Sequence, residues 1–515
     1  MFKRSIALGT AAALAIIAAA APASADDLLE AIALAYRTNP TLLAQRANQR
    51  ALDETYVQAR SALRPTLGIT GSAGYTYNNG PATPGTEIDT DGDGVPDMTI
   101  GGSSGNSESN SGSVGLSLSQ DLYTGGRITY GITQAEAAVL RGRENLRDIE
   151  QQVLTAVIAA YADVLRDLEI LRIREENLGV LNRQLEEANA RFEVGEITRT
   201  DVAQSEARLA QSESDLAVAQ AQLSVSRANY ASVVGQSPGT LEALPPLPGV
   251  PTDFDVALDV GIAENPTLLA AEYQLASAEA GVAEAKAAYR PSARLSASYG
   301  GSDDLRDFDP FDRTSLTATA SISFPLFTGG LNASRVAQAL EQANAAQISV
   351  EGARREVLRD ISNAYAQMVS ANSTVTANIE AVNAARIAAE GVRQEAQVGL
   401  RTTLDVLNQE LELRAAEVTL ASARRNEYVA QATLLAAMGR LGGEDLVTGI
   451  EVYDPADNFD EVKDRGALPW DGVIEAIDRI AAPAIVPAND AEDAPIDAQL
   501  KAEAADAEPV AEPQE

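Results

Sequence analysis

The sequence predicts a mainly α-helical chain with a small β part, organised as two tandem repeats of long coiled-coil helices, each interrupted by a β-hairpin. Three observations carry this. First, anchor segments recur in order. Asn39-Pro40-Thr41-Leu42-Leu43-Ala44 returns as Asn265-Pro266-Thr267-Leu268-Leu269-Ala270 and Arg64-Pro65 as Arg290-Pro291, both 226 residues on; Leu122-Tyr123-Thr124-Gly125-Gly126 returns as Leu326-Phe327-Thr328-Gly329-Gly330, 204 residues on. Second, apolar residues spaced three and four apart run for tens of residues. Third, the period changes to two after each Arg-Pro.

The elements follow in chain order. Lys3 and Arg4 precede an apolar run from Ile6 to Ala21 that ends in Ala23-Ser24-Ala25, so residues 1–25 read as a cleaved signal peptide. The first repeat spans 26–250 and the second 251–447. Each opens with a helix, the first over about Asp27 to Leu63, which ends where Pro65 disfavours helix for the residue before it.

Hairpins follow at 64–124 and 291–328. In the first, Leu67, Ile69, Ala73, Tyr75 and Tyr77 alternate with Thr, Gly and Ser, and Val114, Leu116 and Leu118 do the same on the return; the second gives two more such segments. Four strands with one apolar and one Ser/Thr/Gly face suit an outer-membrane barrel wall better than a soluble sandwich. Four cannot close a barrel around water, so copies must pool their strands.

Past each Gly-Gly pair come long helices at 127–193 and 330–397, each roughly 100 Å long at about 1.5 Å per residue. Leu171, Leu178, Leu185 and Phe192 fall seven apart, as coiled coils require. Turns at 194–201 and 398–405 lead into return helices about half as long. An opening helix and a return helix stacked end to end match one long helix, which fits a tube wall; a solid bundle fits the same spacing. Residues 448–481 form a short, partly ordered segment in which the lone Trp470 reads as a packing anchor, and 482–515 an acidic, disordered tail.

Composition narrows the function. Cys and His are both absent, which removes thiolate nucleophiles, disulfides and the usual general base, so the chain is read as no enzyme. The formal charge of −35, or −37 without Lys3 and Arg4, repels nucleic acid. No Walker-type lysine loop or dinucleotide glycine fingerprint appears.

As an ordered, duplicated set, these segments make the chain resemble the TolC family of outer-membrane efflux proteins. Phe324-Pro325-Leu326-Phe327-Thr328-Gly329-Gly330 and the paired turns carry the match further; the turns are Val194-Gly195-Glu196-Ile197-Thr198-Arg199-Thr200-Asp201-Val202 and Val398-Gly399-Leu400-Arg401-Thr402-Thr403-Leu404-Asp405-Val406. The resemblance covers nearly all of the chain to about Gly443. It implies a homotrimer with a 12-stranded barrel in outer-membrane lipid and a periplasmic α-helical tunnel, used for type I secretion or multidrug efflux. It also implies a periplasmic adaptor and an inner-membrane ABC or proton-driven exporter as partners, and it places 448–481 around the tunnel's middle. A periplasmic coiled-coil adaptor or scaffold without its own barrel is the alternative, and the four amphipathic strands speak against it.

Three residues at the turns are candidates for a periplasmic entrance gate. Asp201 and Asp405 occupy equivalent positions at the starts of the return helices, where capping by Asp or by the neighbouring Thr200 is the plain alternative. The resemblance implies that acids here line or latch the entrance and that Arg401 takes part in closing contacts, with Asp201 of a neighbouring helix pair. Ala396 and Asn408 depart from a tyrosine and a second acid that related channels carry. In the first extracellular loop, Asp89, Asp91, Asp93 and Asp97 with Gly94 copy the first part of a calcium loop, while Ile100 takes the twelfth position. That loop is either a weak calcium site or solvated acid; no other cofactor is expected.

Overall fold

The computed structural model describes residues 27–102, 105–446, 452–488 and 501. The expected signal peptide and most of the acidic tail lie outside them. Among the described residues, eleven α-helices and six strands follow in this order: α1 Leu28–Thr38, α2 Pro40–Ser61, β1 Thr66–Asn79, β2 Thr86–Ile88, β3 Met98–Ile100, β4 Asn106–Tyr123, α3 Arg127–Glu193 and α4 Arg199–Val234. The second repeat gives α5 Phe254–Glu264, α6 Pro266–Ala287, β5 Ser292–Asp304, β6 Thr314–Ser323, α7 Leu331–Gln397 and α8 Thr403–Ala437. Short helices α9 Gly443–Leu446, α10 Pro455–Val462 and α11 Asp471–Asp478 close the chain. Among the described residues no helix is long and apolar enough to cross a membrane.

The opening helix of each repeat, expected as one piece, is two. Pro cannot donate a backbone N–H and biases its predecessor towards extended backbone. Asn39 accordingly sits at ψ 123° and Asn265 likewise, and each caps the following helix: Asn39 Oδ1 accepts from the N–H of Thr41 and Leu42, and Asn265 Oδ1 from Thr267 and Leu268. The other half of each amide reaches the end of a return helix. Asn39 Nδ2 donates to Val233 O and Asn265 Nδ2 to Ala437 O, both at 2.9 Å. α2 therefore continues the column of α4, and α6 that of α8.

The hairpins join into one antiparallel sheet of order β1-β4-β5-β6. Its register aligns like with like: Leu67 faces Leu118, Ile69 faces Leu116, and Leu116 faces Tyr299, which in turn faces Leu316. The other face pairs Ser72 with Ser113, Ser117 with Ser298 and Ser298 with Thr317. Both faces are open in one chain; Ile69, Leu316 and Ile322 are 73–80% exposed. Outside the sheet, the insertion of the first loop folds into a β2–β3 ribbon of three-residue strands, too short to show a period in sequence.

Positive φ at Gly125, Gly126, Gly329 and Gly330 turns the chain from strand into the 67-residue helices α3 and α7. Two larger cores hold the helices together, the first shared by the first repeat with Tyr428, Ala432 and Leu435 of α8, the second within the second repeat. Leu28, Ile32, Leu154, Ile158, Tyr161, Tyr230 and Val234 build the first; Leu258, Leu268, Leu358, Ile361 and Leu434 build the second. Towards the turns α3 and α4 form a thin pair. Its buried row is Ile173, Asn177, Leu181 and Ala188; the expected leucine row of Leu171, Leu178 and Leu185 lies half-exposed beside it, and Phe192 is exposed.

The C-terminal segment straps the outside of the first repeat. Arg46 is held between the rings of Tyr36 and Tyr453, 4.2 and 5.0 Å from their centroids. Arg64 pairs with the buried Asp471 at 2.8 Å, and Ile474 enters the small core of Leu63, Ile128 and Ile132. Trp470, expected as an anchor, is 45% exposed. A helix this short turns one face inward, here Asp471, Ile474 and Asp478.

Candidate functional site

The two turns are built alike. At the first, Gly195 (φ 80°) lets its own N–H reach Phe192 O while the Glu196 N–H reaches Arg191 O, closing the end of α3. At the second, Gly399 and Leu400 donate to Ala396 O and Glu395 O. The cap of each return helix is a Thr three residues before the acid. Thr198 Oγ1 accepts from the Asp201 N–H, and Asp201 Oδ2 accepts in return from the Thr198 N–H at 2.9 Å and its hydroxyl at 2.8 Å. Thr402 and Asp405 repeat this capping box at 3.0 and 2.8 Å. These bonds hold both carboxyls below the usual Asp range.

Arg401 lies in the turn between α7 and α8 and pairs within the chain with Glu395 at 2.8 Å; its counterpart pair is Arg191 with Glu196 at 3.1 Å. Val194, Val398 and Leu400 project into solvent. The turns thus present an exposed apolar tip with carboxylates set one helical turn behind it.

Sequence reasoning missed the side chains that join the two helix pairs above the tip. Arg208 of α4 donates to Asn408 Oδ1 of α8 at 3.1 Å, Arg414 lies 3.7 Å from Glu176, and Arg425 makes a double contact with Asp163 at 2.9 and 3.2 Å. All three rungs start or end on α8. Buried Glu410 also receives Arg393, tying α8 to α7. These are pairs between segments far apart in sequence, and no spacing signals them.

Asp478 was equally invisible. Its carboxylate accepts from the N–H and hydroxyl of both Thr124 and Thr129, at 2.6–3.3 Å, and so caps α3, whose own N-cap residue is a glycine. The positive end of the α3 dipole faces a negative charge there.

At the far end of the molecule, Asp89, Asp91 and Asp97 each place a carboxylate oxygen within 4.8 Å of the others, whereas Asp93 is outside that group and accepts from the Val95 N–H. Asp89 accepts from Gly92 and Gly94 at 2.7 Å, and Asp97 from the Thr90 N–H at 2.9 Å and the Thr90 hydroxyl. Those bonds hold Asp89 and Asp97 below the usual carboxylate range. Asp91 accepts from the Asp93 N–H at 3.2 Å, so all three carboxylates are already partnered by the loop's own donors.

Comparison with known proteins matches this architecture. The family model described as outer membrane efflux protein matches residues 31–236 and 258–440. The chain is 34% identical over 443 residues to the outer membrane efflux protein BepC of Brucella suis biovar 1 (strain 1330), across 86% of this chain and 92% of that protein. It is 25% identical over 438 residues to the outer membrane protein TolC of Escherichia coli (strain K12), across 82% and 84%. Among solved structures, the CmeC outer membrane channel of Campylobacter jejuni superposes with a TM-score of 0.69 over 85% of this chain and 89% of its own, at 13% identity, which shows the fold. The two matched blocks coincide with the two repeats described above, and the chain belongs to the outer membrane efflux protein family.

Proposed function

We propose that three copies of this chain form a passive exit duct for multidrug efflux or type I secretion, with a 12-stranded barrel in the outer membrane and a helical tunnel through the periplasm. One observation carries the reading. A four-stranded sheet with an apolar face, a Ser/Thr/Gly face and both edge strands free stands on helices of 67 residues. Exposed edges need partners, and an apolar sheet face needs lipid or protein against it. A periplasmic scaffold would need neither.

At the other end, Asp201, Arg401 and Asp405 belong to the entrance. The rungs Arg208–Asn408, Arg414–Glu176 and Arg425–Asp163 hold the α7/α8 pair against the α3/α4 pair in the closed state. An energised inner-membrane pump, ABC or proton-driven, delivers substrate through a periplasmic adaptor, since nothing in the chain resembles a nucleotide site.

The test is direct. Purified mature protein should be a detergent-requiring trimer that conducts in planar bilayers. A water-soluble monomer without pore activity would sink the reading. Crosslinking in cells, followed by identification of the attached pump, separates drug efflux from polypeptide secretion.

A further inference from the structure

α11 carries its polarity the wrong way round for a helix on a water-facing surface, which normally turns acids out and apolar residues in. Its acids Asp471 and Asp478 are buried, the first paired with Arg64 at 2.8 Å and the second accepting from the hydroxyls of Thr124 and Thr129. The exposed residues from Gly472 to Ile480 are apolar except Arg479, and that guanidinium is paired with Glu475 at 2.7 Å. Val473 and Ile480 are 59% and 62% exposed. Trp470 before the helix and Ile485 and Val486 after it are exposed as well, and no charged residue stands between Ile480 and Ala488.

The position of the helix says what this side meets. Along β4, Leu116, Leu118 and Gln120 share the sheet face of Leu67 and Ile69. Gln120 Nε2 donates to Leu63 O at 3.3 Å, and Leu63 shares its small core with Ile474 of α11, against which Leu122 packs. The hydroxyl of Tyr123 donates to Ile480 O at 3.0 Å and that of Tyr130 to Pro483 O, and the Ala488 N–H reaches Glu279 of α6 at 2.9 Å. The strap therefore ends as a collar that runs past the start of α3 to α6, on the apolar side of the sheet and just below the level of Leu67 and Leu118.

An outer-membrane barrel turns its apolar face to lipid and ends in aromatic girdles at the two interfaces. The collar prolongs that face downward, into the zone where the headgroups of the periplasmic leaflet lie, and Trp is the side chain best suited to that zone. We infer that Trp470 and the outer side of α11 rest in the periplasmic leaflet of the outer membrane as an interfacial anchor that binds phospholipid. This rests on the barrel reading above and gives a lipid contact to a segment outside the barrel. With Arg479 already paired, the attraction is apolar and survives high salt.

Trp470 is the only tryptophan of the chain, so its emission reports the collar alone. The full mature protein is reconstituted in phosphatidylcholine vesicles whose acyl chains carry bromine either near the headgroup or near the terminal methyl, and floated protein is measured. Emission should be quenched several-fold by the shallow bromines, less by the deep ones and little by iodide in the water, with no change in high salt. Val473→Ser combined with Ile477→Ser should lower the bromine quenching several-fold, while unchanged amide exchange at Thr124 and Thr129 shows that Asp478 still caps α3. Floated protein whose emission ignores both bromines and iodide has Trp470 covered by another copy, which overturns the anchor. Emission quenched by iodide and not by bromine places the ring in water and overturns it too. Protein that does not float with the vesicles overturns the barrel itself.

Discussion

The Asn39 side-chain amide donates to the Val233 carbonyl oxygen at 2.9 Å, joining helices whose residues lie 194 apart in the chain. One side chain thus starts α2 and finishes α4. Replacing Asn39 with Ala removes the cap and leaves the carbonyl without its donor, at an expected cost of about 1–2 kcal/mol. Asn39→Ser keeps an oxygen to cap α2 and loses the donor to Val233, so it should cost less. Hydrogen exchange at Thr41 and Leu42 checks the order; equal exchange in wild type and Asn39→Ala would refute it. Asn265 should behave in the same way.

Asp478→Ala removes four hydrogen bonds from the start of α3. Bonds to a charged acceptor contribute about 1.5–3 kcal/mol each, and they do not add, so a loss of roughly 3 kcal/mol or more is expected for strap docking. Limited proteolysis between residues 463 and 470 should accelerate at least tenfold. An unchanged cleavage rate would mean that the strap is held elsewhere.

If Asp405 lines the entrance as proposed, Asp405→Ala should weaken cation block of single-channel currents several-fold, because a carboxylate is removed there. Thr402→Val disturbs the same capping box and keeps the charge. If both variants lose block equally, the effect comes from the helix start and not from the carboxylate.

Acid should loosen the turns. The folded carboxyls of Asp201 and Asp405 are depressed by their Thr partners, so the stability they contribute is complete above the ordinary Asp value of about 4 and is lost as pH falls through the folded value. Hydrogen exchange at residues 198–201 and 402–405 should therefore rise on going from pH 5 to pH 3 after correction for intrinsic rates. Thr198→Val should flatten this dependence at the first turn. A pH-independent protection factor at both turns would contradict the capping bonds.

Calcium affinity at the β2–β3 loop is expected in the range of about 10⁻⁴–10⁻³ M typical of weak extracellular modules, since the twelfth-position acid is missing and the loop's own N–H groups already occupy Asp89. Calorimetric titration of the purified, folded protein measures this. Micromolar binding would contradict it, and so would no saturable heat at millimolar calcium.

Periodicity made most of the fold legible. The four strands and the two long helices announce themselves because a lipid-facing sheet and a coiled-coil wall each demand a repeating side-chain pattern over many residues. The break at Asn39 was written in the same sequence, yet it was easy to pass over, because proline at the first position of a helix leaves the apolar spacing of its neighbours intact. Thr198 and Thr402 could have been read from their spacing to Asp201 and Asp405, the Thr-x-x-acid signature of a capping box. Arg425–Asp163 and Thr124–Asp478 could not, since each joins residues more than 250 positions apart that no local pattern relates.

The salt bridge from Arg64 to Asp471 spans 407 residues. A chain that emerges from its N-terminus must therefore hold its first helix-to-strand corner unfinished until nearly all of the polypeptide has been made and exported. Contacts of such separation form late. The last stretch to arrive completes the first one made, so a chain cut short before Asp471 would leave the Arg64 guanidinium at that corner without its carboxylate.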